Sequence, residues 1–317
     1  VGECIAALLK EGPDGKLTLP LSASPEFHDG RLQAWMKPPT TYDLALMRWL
    51  FGALAEMAGE MNDDAAAARW RQVLDRLEGF AVVESGNGAH SQALMLSPGE
   101  RLTESHRHLS HLMPIHPLGL IHVEAGERDR QIIEGSLTQI DYFGTGLWCG
   151  YSFGWMACIA ARARQPEKAR ALLQTFVNAF VSRNGFHLNG DFKNQGFSML
   201  KYRPFTLEGN FAAAQAVHEM LLQGWGGVVR VFPAVSREWQ DVAFEGLRAE
   251  GGLKVSARRE GGATVWVRIA ADVAGPVRLR NPFGSGAKPR WTRKGIRRAG
   301  KDYVMTLKAG EAVEVAG

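Results

Sequence analysis

The chain has 317 residues, 45% hydrophobic and 22% charged, with a formal net charge of +4 at neutral pH. That length can hold one sizeable core and a smaller one, and the composition excludes a disordered or collagen-like chain. It has no apolar run of about eighteen residues, as a membrane-spanning helix would need, and its cysteines, Cys4, Cys149 and Cys158, form neither a CxxC pair nor metal-ligand spacing.

The opening residues Val1-Gly2-Glu3-Cys4 are neither an initiator Met nor a leader. With Ile5, Leu8 and Leu9 on one face they read as helix, cut from a longer parent. Thr40 or Thr41 can cap a helix reaching about Glu60, with Leu44, Met47, Leu50, Phe51 and Leu54 at helical spacing. Asp63 or Asp64 can cap the next, which carries Ala67, Trp70, Val73, Leu74 and Leu77. Residues 151–164 are predicted to be a buried helix, and Cys149 and Cys158 sit in apolar stretches as plain core thiols. Pro166 stands where a first helical residue belongs, followed by the stripe Ala169, Leu172, Leu173, Phe176 and Phe180. The last strong helix is predicted over 210–223. Long Gly-rich or His-rich connections alternate with short ones, which suits helix hairpins arranged in an (α/α) toroid whose long loops build a site.

From Gly226 the pattern changes. Residues 228–232, 253–258, 264–270, 277–280, 303–308 and 312–315 read as short strands punctuated by Gly, Pro and Asn-Pro. The fold class expected is mainly α, part of a barrel of helix hairpins over 1–226, followed by a small antiparallel, sandwich-like β domain over 227–317. Bases predominate in the second segment and cluster at Lys288, Arg290, Arg293, Lys294, Arg297, Arg298 and Lys301. A nucleic-acid surface is one reading of that cluster. No nucleic-acid motif accompanies it, and a solvated loop on a small β domain is the preferred reading.

Three stretches carry groups that could do chemistry. In Ser24-Pro25-Glu26-Phe27-His28 a carboxyl follows a Ser-Pro turn, which can present it rigidly; a Glu whose pKa is raised by burial is a natural general acid. The same Glu could also be an ordinary surface residue. Glu104-Ser105-His106-Arg107-His108-Leu109-Ser110-His111-Leu112, with His116 close behind, is the densest polar run. Its imidazoles could bind metal, yet it lacks the HExxH arrangement. Sugar recognition by Arg and His donors is preferred for the cluster, and structural histidines are the alternative for any single member. Third, Gly190-Asp191 is followed by Phe205-Thr206-Leu207-Glu208-Gly209-Asn210-Phe211, where Glu208 precedes the last helix and suits a base-supporting role. Glu208 could equally be a capping acid, and Asn210 could itself be the cap. Two carboxylates with a His/Arg cluster between them in sequence fit glycoside hydrolysis. Trp148, Tyr151, Trp155 and Phe211 could stack on a sugar, though aromatics in helices are more often core.

These stretches resemble glycoside hydrolase family 95, whose members act mostly on α-L-fucosides and in some cases on α-L-galactosides. The matching motifs are Ser24-Pro25-Glu26, the run from His106 to Leu112, Gly144-Thr145-Gly146 through Ser152 and Trp155, and the run from Phe205 to Phe211. Val231-Phe232-Pro233-Ala234 to Trp239 and Gly246-Leu247-Arg248-Ala249 follow in the same order. The His-Arg-His-x-Ser-His run is the specific part; Ser-Pro-Glu alone is weak. The resemblance implies an (α/α)6 barrel followed by a β domain, and inversion at the anomeric carbon. Glu26 falls where the family keeps its general acid, and Arg107 and His108 where it has substrate-contacting residues. Glu208 falls where the family usually has an Asp supporting an Asn pair that polarises the attacking water. Here the acid is one methylene longer, and that pair belongs to an upstream motif outside these residues.

The site expected is therefore Glu26 and Glu208 as carboxylates, with Arg107, His108, His106, His111, Asn210 and Trp148 around the sugar, no metal and no cofactor. The partner expected is a terminal α-L-fucoside or α-L-galactoside of an oligosaccharide or glycan, with no nucleic acid and no membrane span. The resemblance also implies export to the periplasm or beyond, and inactivity of these residues in isolation. The competing readings are a non-catalytic carbohydrate-binding barrel and another toroidal carbohydrate enzyme, a phosphorylase or a lyase.

Overall fold

The computed structural model describes residues 1–84, 92–284 and 286–317. They fall into two compact units: Val1–Ser152 with Asn194–Lys201, and Phe153–Lys193 with Tyr202–Gly317. Among the described residues there are seven α-helices and several small antiparallel sheets, so the chain is mixed helix and strand. No described helix is long and apolar enough to cross a membrane.

The first unit contains α1 (Gly2–Leu8), the hairpin β1 (Lys10–Glu11) and β2 (Leu17–Thr18), α2 (Thr41–Glu60), α3 (Asp64–Arg76), the hairpin β3 (Val82–Glu84) and β4 (Gln92–Leu94), and α4 (Glu127–Phe143). The Thr40 hydroxyl accepts the Asp43 N–H at 3.2 Å and the Asp63 carboxylate accepts the Ala66 N–H at 3.0 Å, so both helices start at side-chain caps. Leu44, Met47 and Phe51 of α2 are buried in one cluster with Trp70 of α3 and Leu77, while Leu50 and Leu54 are only partly buried. The Phe51 and Trp70 rings stack at 5.6 Å. Sequence reading gave no hairpin at β1–β2, although Pro13-Asp14-Gly15 is a turn signal. It also gave no α4, whose Ile132, Ile133, Leu137 and Ile140 form a buried helical stripe.

The second unit holds most of α5 (Gly150–Arg162), then α6 (Pro166–Thr175), which runs on into a π turn at Phe176–Phe180, and α7 (Glu208–Leu221). Residues 156–161 of α5 are almost wholly inaccessible. Helix α7 starts at Glu208, two residues before the expected position, and ends at Leu221. Leu222 and Gln223 instead form β5 (Leu222–Gln223), which pairs with β6 (Arg230–Val231). Burial of Leu222 in the β core favours the extended backbone there. A buried bidentate ion pair joins α5 to α7: Arg162 Nε and Nη2 donate to the Glu219 carboxylate at 2.5 and 2.8 Å.

The remaining strands are β7 (Val242–Ala249), β8 (Leu253–Glu260), β9 (Ala263–Ala271), β10 (Gly275–Arg280), β11 (Arg290–Trp291), β12 (Arg297–Ala299), β13 (Asp302–Leu307) and β14 (Ala312–Ala316). One antiparallel sheet runs β11-β14-β9-β8-β7 and a second runs β10-β13-β12. Val255, Val267, Ile269, Val313 and Val315 from the first share one core with Val277, Leu279, Met305 and Leu307 from the second. Burying each such side chain contributes about 1.5–3 kcal/mol. Strand β7 escaped the sequence reading because its alternation breaks at a bulge between Phe244 and Leu247, where Gly246 adopts φ 63°. The predicted strand over 228–232 shrinks to two paired residues, since Gly226, Gly227 and Phe232 take left-handed backbone. Of the basic cluster, Arg293 pairs with Glu311 at 2.7 Å, and Lys288, Arg290, Lys294, Arg297, Arg298 and Lys301 are exposed.

Candidate active site

The candidate acid loop hangs from buried hydroxyls. Ser22 Oγ lies 2.5 Å from the Asp43 carboxylate and accepts the Thr40 N–H at 2.8 Å, which moors the loop to the start of α2. Ser22 O also accepts the Met36 N–H at 3.0 Å and so closes the loop. Within it, the Phe27 N–H donates to Ser24 O at 3.2 Å around Pro25 and Glu26. Pro at the second position and a left-handed residue at the third are features of a type II turn. That third residue is Glu26, at φ 58°. A non-glycine side chain there costs about 1–2 kcal/mol, and such strain concentrates at functional positions.

The His-Arg-His run faces this turn. Ser105 Oγ donates to Gly144 O at 2.9 Å and accepts the Leu147 N–H at 3.0 Å, and Ser152 Oγ donates to Arg107 O at 2.7 Å. The segment Gly144–Ser152 thereby fixes the backbone that carries the run. His106 accepts the His108 N–H at Nδ1 (3.1 Å), which leaves Nε2 as the donor toward Glu26 O at 3.4 Å. Its ring stacks on Phe27 with centroids 3.8 Å apart, and burial holds its pKa below the ordinary histidine range.

Arg107 and His108 then meet the Glu26 carboxylate. Arg107 Nη2 pairs with Oε2, and His108 Nε2 lies 3.0 Å from the same oxygen. Burial pushes the Glu26 carboxyl up, but the hydrogen bond and charge of His108, then of Arg107, outweigh it and hold the group below the usual carboxylate range. The Glu26 side chain is 51% exposed, so the group is accessible as well as paired. His111 is different: it is wholly buried, neither ring nitrogen has a hydrogen-bond partner, and burial pushes its pKa down to about 3. Trp148 is also buried, and its carbonyl accepts Ser198 Oγ at 2.6 Å.

In the second unit Glu208 is the first residue of α7 and is exposed. Asn210 does not cap the helix. Its Oδ1 accepts the His187 N–H and its Nδ2 donates to Gly185 O, both at 2.9 Å, so its amide clamps the 185–187 turn. His187 Nδ1 lies 2.7 Å from Thr206 O, and the ring packs so closely on α7 that a Cβ at position 209 would stand 2.1 Å from it. Glycine is therefore required between Glu208 and Asn210. Phe211 is exposed, and Tyr151 and Trp155 are half-buried.

Glu26, His106, Arg107 and His108 thus come together in the first unit. Beyond the Ser24-Pro25 turn, sequence reading gave no role to the residues that seat them: Ser22, Phe27, Ser105, Ser110 and Ser152. No three His, Cys, Asp or Glu side chains converge as a metal-ligand group among the described residues.

A family model, the Glycosyl hydrolase family 95 catalytic domain, matches residues 3–221. The chain belongs to glycosyl hydrolase family 95. The match takes in Glu26, the whole His-Arg-His run and α7 from Glu208 to its end. Alpha-L-fucosidase 2 of Arabidopsis thaliana is 30% identical over 154 residues, an overlap of 48% of this chain and 18% of that relative. The chain thus spans less than a fifth of the length of the curated family relative it matches. A solved family 39 glycoside hydrolase from the gut symbiont Bacteroides cellulosilyticus WH2 overlaps 50% of this chain and 29% of its own, at 14% identity and a TM-score of 0.20, too low a likeness to bear on the fold.

Proposed function

We propose that the protein is an inverting exo-glycoside hydrolase that removes terminal α-L-fucose, or α-L-galactose, from oligosaccharides or glycans. The observation that carries this reading is the accessible Glu26 carboxylate, set on a strained turn and held by Arg107 and His108. Glu26 acts as general acid and protonates the leaving oxygen, while the opposite side of the site activates water across the ring.

A general acid must carry a proton, and Glu26 is ionised while Arg107 and His108 hold it. The same two donors are the ones that would grip sugar hydroxyls. A substrate that takes their hydrogen bonds weakens the hold that keeps Glu26 ionised and displaces water, and both effects raise the carboxyl pKa. The proton is then loaded where the leaving oxygen arrives. Glu208 supports the base side from the first turn of α7, where the helix dipole favours negative charge. L-Galactose differs from L-fucose by one hydroxyl at C6, and an apolar pocket discriminates against an added hydroxyl by only about a hundredfold, so both sugars fit the reading. In it, residues 1–226 form part of an (α/α)6 toroid that carries the site, and residues 227–317 form a sandwich-like β domain.

Glu26→Gln in the full-length protein is expected to lower kcat on a fucosylated oligosaccharide by about 10²–10⁴-fold with little change in KM; wild-type kcat in that variant would remove Glu26 from the reaction. One observation favours a second reading, a carbohydrate-binding protein with weak turnover: position 208 carries Glu where the resemblance expects Asp. Glu208→Asp separates the two. A large gain in rate supports the binding reading, and a loss supports a working Glu208.

A further inference from the structure

Glu26 has no rigid element of its own. It sits in the middle of a loop, yet both of its flanks are fastened to the segment that carries Arg107 and His108. On one side, two residues before Glu26, Ser24 Oγ lies 2.6 Å from Ser110 Oγ, and both side chains are buried. On the other side, one residue after it, Phe27 stacks on the His106 ring at an interplanar angle of 21° and is itself buried. The Phe27 N–H closes back onto Ser24 O, so the two fastenings are joined across the turn. Ser110 lies two residues beyond His108, and His106 two before it. One short segment therefore supplies both anchors and both ion-pair donors.

We propose that the Ser24–Ser110 hydroxyl pair and the Phe27–His106 stack form a positioning latch that sets the Glu26 carboxylate between Arg107 and His108. The catalytic side of this inference rests on the reading of Glu26 as proton donor. All four latch residues are buried, and in this inference they act through Glu26. The hydroxyl pair is the part that can be tested cleanly. Removing one hydroxyl leaves the other buried and unpaired, whereas removing both replaces a hydrogen bond by two apolar groups of nearly the same shape, which is close to neutral for stability. The double variant Ser24→Ala/Ser110→Ala therefore keeps the fold and loses the hydroxyl fastening of the latch, leaving the Phe27–His106 stack as its remaining hold.

The experiment compares the full-length wild type, the double variant and Glu26→Gln. In a crystal structure of the double variant the latch predicts that Glu26 Oε2 leaves its 3.0 Å contact with His108 Nε2. In kinetics it predicts that kcat on a fucosylated oligosaccharide falls by about tenfold to a hundredfold, the effect of a misplaced catalytic group. On 2,4-dinitrophenyl α-L-fucoside, whose leaving group needs no protonation, kcat should fall by less than about threefold. A double variant with the Glu26–His108 contact unmoved, or with equal losses on the two substrates, overturns the latch. Glu26→Gln separates this from the parent reading: if it spares the oligosaccharide reaction, Glu26 is not the proton donor, and the crystal structure alone decides the latch.

Discussion

His111, inside the histidine run, and Glu26, which Arg107 and His108 of that run hold, respond to acid for different reasons. Glu26 is depressed by its partners and half-exposed, so solvent screening leaves it a small part in stability. His111 is depressed chiefly by burial, to about 3. In the unfolded chain a histidine takes its proton near pH 6.5. Between that value and about 3 the unfolded state binds the proton and the folded state does not, so stability falls as pH falls through this window. The slope from this one residue reaches up to ~1.4 kcal/mol per pH unit. His111→Leu, which forfeits no hydrogen bond at the ring nitrogens, is expected to flatten the acid slope in a series of denaturant titrations across that window. An unchanged slope would mean that His111 is protonated in the fold. Arg107 and His108 stand out in the sequence because Arg and His packed into one short run rise above the background, whereas Glu26 is marked only by the weak Ser-Pro-Glu stretch. The hydroxyls that hold them do not stand out. Serine is common, and the Ser24–Ser110 contact joins positions 86 apart, a relation that only the folded chain displays.

At the scale of elements, the pair linking α5 and α7 is the interaction most exposed to a single change. The Arg162 and Glu219 side chains are 9% and 4% accessible, and Arg162 also lies over the Trp225 ring at 5.0 Å. Losing one partner strands a buried charge at a cost of about 3–5 kcal/mol, while replacing both by apolar groups of similar volume is often close to neutral. Glu219→Ala should therefore lower the denaturation midpoint far more than Arg162→Met/Glu219→Leu. Equal losses would show that the ion pair stabilises the fold in its own right. In the β core, Leu279→Ala should cost about 2–5 kcal/mol, since Leu279 is wholly buried. Calorimetry on the full-length protein reads both. Helices with side-chain caps and a regular apolar stripe, α2 and α3, were legible to within a residue. The exceptions have local causes. Strand β7 hides behind its bulge, α7 is read two residues late because Asn210 looks like a cap and serves as a clamp, and β5 continues an apolar helical pattern that pairing with β6 turns into strand.

For the molecule as a whole, family membership was visible in the order of motifs, while the shift from helical spacing to alternation was read at Gly226, a few residues after α7 ends at Leu221 and β5 begins at Leu222. The chemistry assigned to Glu26 concerns the complete protein and is tested there. The direct measurement follows the anomeric protons by NMR while the full-length protein acts on an α-1,2-fucosylated oligosaccharide and on an aryl α-L-galactoside, with Glu26→Gln run in parallel. Release of free sugar whose first anomer is inverted, from at least one substrate and lost in the variant, is the predicted result, and the substrate cleaved identifies the sugar. Retained configuration, or release undiminished in Glu26→Gln, would contradict an inverting mechanism with Glu26 as its acid.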